Sequence, residues 1–238
     1  MIIQPVSPAL PFEDAPEKMP GEMSEVIGRA LLITLMSLVA AGSFVRMRTL
    51  LGQSDPITAL DFLGELGAFL FASMICLLAV LRLKPVRRAD GWAPTVAALS
   101  GGFLLTLVNT LPATPLSSPA QAAAVLLLAV GNIATVLCLV HLGRSFSVLP
   151  QARRLVSTGP YGLIRHPLYV AESIATLGMI MLHLGWAAIA LGIIQTGLQL
   201  TRIHYEEGVL GAAFPEYADY ARRVPRFVPR FYRSHRQE

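Results

Sequence analysis

Two short polar clusters carry the residue types that do chemistry. The first is Gly159-Pro160-Tyr161 followed by Arg165-His166-Pro167-Leu168-Tyr169, and the second is Arg202, Glu206 and Glu207, followed by Tyr217, Tyr220 and Arg226. Gly-Pro makes a turn that exposes backbone groups. Pro167 suits the first turn of a helix, so free backbone N–H groups should lie beside His166 and Arg165, a place for a carboxylate or other anion. On a helix Arg202 and Glu206 share a face, whereas Glu207 is rotated by roughly 100°. One carboxylate can therefore orient the arginine while the other faces a ligand. The plainer alternatives are an ordered interfacial turn with snorkelling arginines and an interfacial Tyr169, and a salt bridge on a helix emerging into water. The convergence of so many ring and charge types in few residues favours a site.

Both clusters border segments greasy enough to cross a bilayer. The chain is 54% hydrophobic and only 14% charged, with a mean hydropathy of +0.58, against about one-quarter charged residues in soluble domains. This is the composition of an integral membrane protein. Apolar runs lie at about 26–45, 62–81, 92–111, 120–142, 168–184 and 186–203, each near the roughly 20 residues needed to span. They do not alternate as barrel strands do, so each must satisfy its backbone as a helix. The expected fold is an all-α polytopic bundle of about six spans, the last two joined as a helical hairpin at His183-Leu184-Gly185. Residues 1–25 form a proline-rich acidic tail, expected to be flexible and lacking the basic region of a secretory signal. A four-helix transmembrane region, 26–142, and a C-terminal region, 143–238, follow.

Basic residues sort the loops. Arg82, Lys84, Arg87 and Arg88, then Arg144, Arg153, Arg154 and Arg165, then Arg222, Arg223, Arg226, Arg230, Arg233 and Arg236 should share the cytoplasmic side, whereas the 111–120 loop and the hairpin tip have no lysine or arginine. Both termini and the polar clusters are then cytoplasmic, in a multi-pass protein expected in a bacterial inner membrane. Arg46 and Arg48 fall on the outer side against this rule. The net charge of +4 is better explained by orientation and by contact with membrane lipids than by a nucleic-acid partner. Cys76 and Cys138 have no ligand spacing and read as packing residues, so no metal is expected. Gly64, Ala68 and Ala72 form a small-residue stripe for close helix packing. His141 and His183 read as interfacial or packing residues. Oligomeric state is not legible.

Taken together, Gly159-Pro160-Tyr161, Arg165-His166-Pro167-Leu168-Tyr169, a hairpin, Arg202, Glu206-Glu207, Leu210, Phe214, Tyr217, Tyr220 and Arg223-Val224-Pro225 resemble the isoprenylcysteine carboxyl methyltransferase and phospholipid methyltransferase superfamily of membrane enzymes. The resemblance covers about the last 100 residues. It implies a cofactor pocket for S-adenosyl-L-methionine, lined by Tyr161, Arg165, His166, Pro167, Tyr169, Glu207 and Tyr217, with Arg202 and Glu206 nearest the reacting groups. A lipophilic small molecule or lipid, either an isoprenylcysteine-like carboxylate or an aminophospholipid, would enter from the bilayer. Glu172 departs from the pattern, standing where a small residue is common, and the Phe214–Tyr217 spacing is one residue short. Methyl transfer from a sulfonium needs alignment and exclusion of water rather than a metal or covalent nucleophile. The alternatives are a sterol-reductase-like oxidoreductase with a nicotinamide cofactor and a non-catalytic scaffold or transporter. The latter would place polar residues at the midplane of its spans, where the notable one is Asn132.

Overall fold

The computed structural model describes residues 20–51, 56–89 and 91–229. Among the described residues eight α-helices run in order: α1 Pro20–Leu50, α2 Pro56–Leu81, α3 Ala93–Phe103, α4 Ser118–Leu142, α5 Pro160–Leu163, α6 Pro167–Leu182, α7 Trp186–Ala213 and α8 Tyr217–Arg223. The chain is an all-α membrane bundle. Among the described residues three segments, Gly28–Leu50, Ala59–Leu81 and Ser118–Ser145, are long and apolar enough to cross a membrane, and α6 is a shorter apolar helix. The run at 92–111 is built differently from a continuous span: after α3 it tightens into a 3₁₀ stretch, Leu104–Thr110. The first helix starts at Pro20, inside the segment expected to be tail, as suits a residue whose fixed φ and missing N–H cost nothing in a first turn. Residues 1–19, and with them most of that tail, lie outside the described residues, as do Arg230, Arg233 and Arg236.

The helices pack as a row, α1 on α2, α2 on α4 and α4 on α6, while α7 lies against α3. The tightest crossing is α4 with α6. A Cβ on Gly131 would sit 2.3 Å from the backbone nitrogen of Ala175, and one on Gly178 would sit 2.5 Å from the carbonyl oxygen of Ala124. Only glycine permits this approach, and close backbone contact is what drives helices together where lipid is as apolar as leucine. The expected stripe on α2 takes part in the same way, with Ala72 fully buried and the Cα of Gly64 facing Val125 of α4. Because α6 belongs to α4 and α7 to α3, the arms of the hairpin touch each other little. The space between them becomes a cavity.

Basic loops gather at one end of the bundle. Arg87–Arg88 pairs antiparallel with Gln151–Ala152, the Leu83 amide donates to the carbonyl of Arg144, and the amides of Arg165 and His166 donate to the carbonyls of Pro225 and Arg226. At the opposite end Thr114 donates through its amide to Leu182 and through its hydroxyl to Leu184, tying the charge-free loop to the hairpin tip. Arg46, one of the two arginines that stand against the charge rule, pairs with Glu65 at 2.5 Å. Cys138 is buried in the apolar core with Leu139 and Leu168, and Cys76 packs beside it, both as free thiols.

Candidate functional site

At the basic end the two sequence clusters meet. His166 Nε2 lies 3.0 Å from Glu207 Oε1, so the turn before α6 and the far end of α7 are in direct contact. The turn is built by constraint: Gly159 has φ +60°, and a Cβ there would fall 2.3 Å from the His141 ring. Pro160 then starts the short α5 and Pro167 starts α6. Between them Tyr161 is buried and its carbonyl accepts from the Tyr220 hydroxyl at 2.7 Å. The histidine that read as packing, His141, thus supports the Gly-Pro turn from below.

The two carboxylates on α7 have separate tasks. Glu207 forms an ion pair with Arg165 at 2.8 Å and accepts hydrogen bonds from His166 and, through both oxygens, from Arg226, the Arg226 Nε contact being 3.2 Å. Burial works to raise its pKa, but hydrogen bonds from His166 and Arg226 and the charge of Arg165 overcome that and hold it at about 2. The same hydrogen bond raises the pKa of Arg226. Glu207 does not border the cavity beside it; it clamps the His166 turn, α7 and the segment after α8. Pro167 likewise fixes the helix start without bordering the cavity. Sequence spacing separated the two carboxylates correctly, but it is Glu206 that both orients the arginine and faces open space. Its Oε1 accepts from the Tyr169 hydroxyl at 2.5 Å and lies 3.9 Å from Arg202. Arg202 is buried, with its guanidinium carbon 5.2 Å from the Tyr169 ring centre and Nη2 donating to the Val148 carbonyl at 3.2 Å.

Around these residues is a polar cavity of about 110 Å³, bordered by Tyr161, Arg165, His166, Tyr169, Arg202, Glu206 and Tyr217. Seven of the nine residues singled out from sequence are therefore brought together on its wall. Sequence reasoning missed the opposite wall, where the segment after α4, a 3₁₀ turn ending at Ser145 and the residues beyond it, alternates: Ser145, Ser147 and Leu149 border this cavity, whereas Phe146 and Val148 border a second, larger one. The alternation polar, apolar, polar, apolar at 145–148 was the available signal. Several buried polar atoms on the wall have no partner within the protein, namely Ser145 Oγ, the hydroxyls of Tyr161 and Tyr217, Arg165 Nε and Arg202 Nε. Orphaned buried groups cost about 1–3 kcal/mol each, which marks the wall as one built for a ligand. Burial raises the pKa of Tyr161 and Tyr217 and pushes Tyr220 up to about 12, keeping all three phenols neutral donors at physiological pH.

The second cavity, about 530 Å³, lies among α1, α2, α4, α6 and α7, is walled largely by apolar side chains, and meets the first at Leu168 and Arg202. Gln195, Gln199 and Arg202 form a buried polar stripe on α7, while Ile189, Ile193, Ile194 and Leu200 on the same helix are exposed. This is the inside-out pattern of a membrane helix lining a cavity. Among the described residues no group of three or more His, Cys, Asp or Glu is placed to share a metal ion.

Fold and site together define a helical membrane protein with a polar-lined pocket that shares Leu168 and Arg202 as wall with a larger cavity between its helices. Residues 124–212 match the isoprenylcysteine carboxyl methyltransferase (ICMT) family, in agreement with the resemblance that the motifs carry. The chain is similar to protein-S-isoprenylcysteine O-methyltransferase B of Arabidopsis thaliana, 37% identical over 106 residues, covering 42% of this chain and 54% of that protein. It is also similar to the cobalt-zinc-cadmium resistance protein CzcN of Cupriavidus metallidurans, 43% identical over 77 residues, or 32% of this chain and 36% of that protein. A third relative is the nickel-cobalt-cadmium resistance protein NccN of Alcaligenes xylosoxydans xylosoxydans, 38% identical over 81 residues, with 34% and 38% covered. The chain thus spans between about a third and just over half the length of these relatives.

Proposed function

We propose that the protein is an integral membrane methyltransferase that uses S-adenosyl-L-methionine and a lipophilic acceptor. The observation that carries this reading is the position of Arg202, which borders both the polar pocket and the apolar cavity while fixed by the Tyr169 ring and the Val148 carbonyl. The family match over 124–212 supports the reaction class.

The residues present suit the cofactor. Arg165 and the neighbouring Arg154 offer charge to a carboxylate, the unpartnered hydroxyls of Ser145, Tyr161 and Tyr217 suit ribose and amine groups, and Glu206 presents a negative charge to a sulfonium. Bound there, the cofactor supplies a methyl group on a positively charged sulfur, an already activated leaving group. What this chain adds is alignment and dryness. The Tyr169–Glu206–Arg202 group sets the line between the two cavities, and the helices keep water from it. Glu207 acts as a positioning residue, holding the His166 turn closed. The basic end, and with it the pocket, faces the cytoplasm by the positive-inside rule.

The test is equilibrium binding of S-adenosyl-L-methionine to purified protein in lipid nanodiscs, by calorimetry. Saturable one-to-one binding is expected, weakened at least tenfold in His166→Ala protein measured well below its own melting temperature. Heat indistinguishable from buffer for the wild-type protein, with a nicotinamide cofactor binding instead, would move the chain to the reductase reading.

A further inference from the structure

The larger cavity is polar at two places. At its Arg202 end Gln195 Oε1, Thr135 Oγ1 and Arg202 Nε are buried without hydrogen-bond partners among the described residues. An unmet donor stands there beside unmet acceptors, so that end leaves the reacting group of a ligand open. The far end is more selective. Arg46 donates through Nε to Glu65 Oε1 at 2.5 Å and through Nη2 to Ser43 Oγ at 3.3 Å. The other carboxylate oxygen, Glu65 Oε2, is buried and has no hydrogen-bond partner among the described residues. Gly64, Ala68 and, from α4, Asn132 border the cavity with Glu65, and Asn132 packs on Gly67. Thr49 and Asp61 also border this end, each with an interaction of its own. A buried carboxylate oxygen without a donor is costly, and a hydrocarbon chain in the cavity would supply none.

We infer that the methyl acceptor is a lipid with two polar ends, whose far end is a hydroxyl bound between Glu65 and Asn132. The inference rests on the methyl-transfer reading and deepens it by naming the substrate class. A hydroxyl can donate to Glu65 Oε2 and accept from the Asn132 amide, and it adds no charge to a carboxylate that Arg46 already balances. A ligand carboxylate would stand against Glu65 and Asp61, and an ammonium would stand against Arg46, in a space with little water to screen either. The helices set the span. Gly64 meets Val125, and the carbonyl of the neighbouring Ala124 meets Gly178, so the far end is level with Gly178 of α6. Leu168, where the two cavities meet, lies ten residues back along the same helix. At the helical rise this is about 15 Å, roughly the length of a twelve-carbon chain.

The test compares twelve-carbon probes that differ at the far end, with the full chain in nanodiscs and occupancy read by native mass spectrometry against partition into protein-free nanodiscs. Dodecanoic acid is paired with 12-hydroxydodecanoic acid, and dodecylamine with 12-aminododecan-1-ol, so the result does not hang on the reacting group. In at least one pair the hydroxylated probe should bind at least tenfold more tightly and be methylated from S-adenosyl-L-methionine with a kcat/KM at least tenfold higher. Glu65→Ala and Asn132→Val should each bring the binding ratio to within twofold of one, with S-adenosylhomocysteine affinity within twofold of wild type. Asn132→Val leaves the Arg46–Glu65 pair intact and carries the test if loss of that pair unfolds the protein. No gain from the hydroxyl in either pair, a gain unchanged in Asn132→Val, or tighter binding of 12-aminododecanoic or dodecanedioic acid than of the hydroxy acid would overturn the inference and leave the methyl-transfer reading standing. No S-adenosylhomocysteine binding by wild-type protein would overturn both.

Discussion

Arg202 and Tyr169 form one unit across α6 and α7: the guanidinium lies over the phenol ring at 5.2 Å while the hydroxyl of the same ring donates to Glu206 at 2.5 Å. The aromatic face positions the cation and the hydroxyl positions the anion. Neither charge can shift without the ring. Tyr169→Phe separates these tasks, since it keeps the ring under Arg202 and frees Glu206. A hydrogen bond to a charged group contributes about 1.5–3 kcal/mol to stability, so the melting temperature should fall, and kcat/KM for methyl transfer, measured where the variant is fully folded, should fall as Glu206 is freed. Tyr169→Leu should lose further activity through Arg202, and equal rates for the two variants would show that the stacking has no role.

Glu207 holds two guanidinium partners, Arg165 and Arg226, lies at hydrogen-bond distance from His166, and has a side chain only 11% exposed. Removing one member of a buried pair costs about 3–5 kcal/mol, with the low end expected here because Arg226 is half exposed. Glu207→Gln should therefore lower stability and S-adenosyl-L-methionine affinity together, the second more than tenfold, as measured by thermal unfolding and calorimetry. Retained affinity in a destabilised variant would separate the clamp from the pocket.

The same carboxylate sets an acid limit. Its pKa is depressed from 4.5 to about 2, so it binds a proton more readily unfolded than folded, and its stabilising contribution is complete above about pH 4.5 and lost as pH falls towards 2. Melting temperature should carry no contribution from Glu207 to any change between pH 7 and 5, and should decline below 4.5. In Glu207→Gln protein the decline over that lower window should be shallower, and parallel curves would assign acid lability to other groups.

Gly131→Ala places a methyl group 2.3 Å from the Ala175 backbone nitrogen. Backbone cannot yield as a side chain can, so the α4–α6 crossing must open, at a cost of at least about 1–3 kcal/mol. Gly197→Ala on α7 has nothing within 4 Å of the added carbon and serves as the matched control. Unfolding in detergent should show a large loss for the first and little change for the second.

The hydroxyl of Tyr220 joins α8 to the Gly-Pro turn through the Tyr161 carbonyl, at a buried hydrogen bond of 2.7 Å. Tyr220→Phe leaves that carbonyl unpaired and should cost about 1–3 kcal/mol, read as faster proteolysis after Arg222 or Arg223. Unchanged cleavage would mean that α8 is held by packing alone.

What could be read from the chain was local. Helix starts at Pro160 and Pro167, the shared face of Arg202 and Glu206, and the apolar runs follow from fixed φ, a 3.6-residue period and the free energy of burying backbone in lipid. The same local logic gave Glu207 a ligand-facing role, because rotation about a helix says which residues diverge and not what each will meet. Arg165, His166 and Arg226 arrive from elsewhere in the chain to occupy it.

By itself, then, the sequence determined a helical membrane protein with polar groups concentrated beside the Pro167 turn and the end of α7. Tertiary structure decided which helices are neighbours. Close approach at Gly131 and Gly178 commits α6 to α4, α7 pairs with α3, and the gap between them turns Glu172, Gln195 and Gln199 towards one cavity. Spacing along a chain fixes the direction in which a side chain leaves its own helix, whereas the partner it finds depends on contacts between residues far apart in sequence, which no local period encodes.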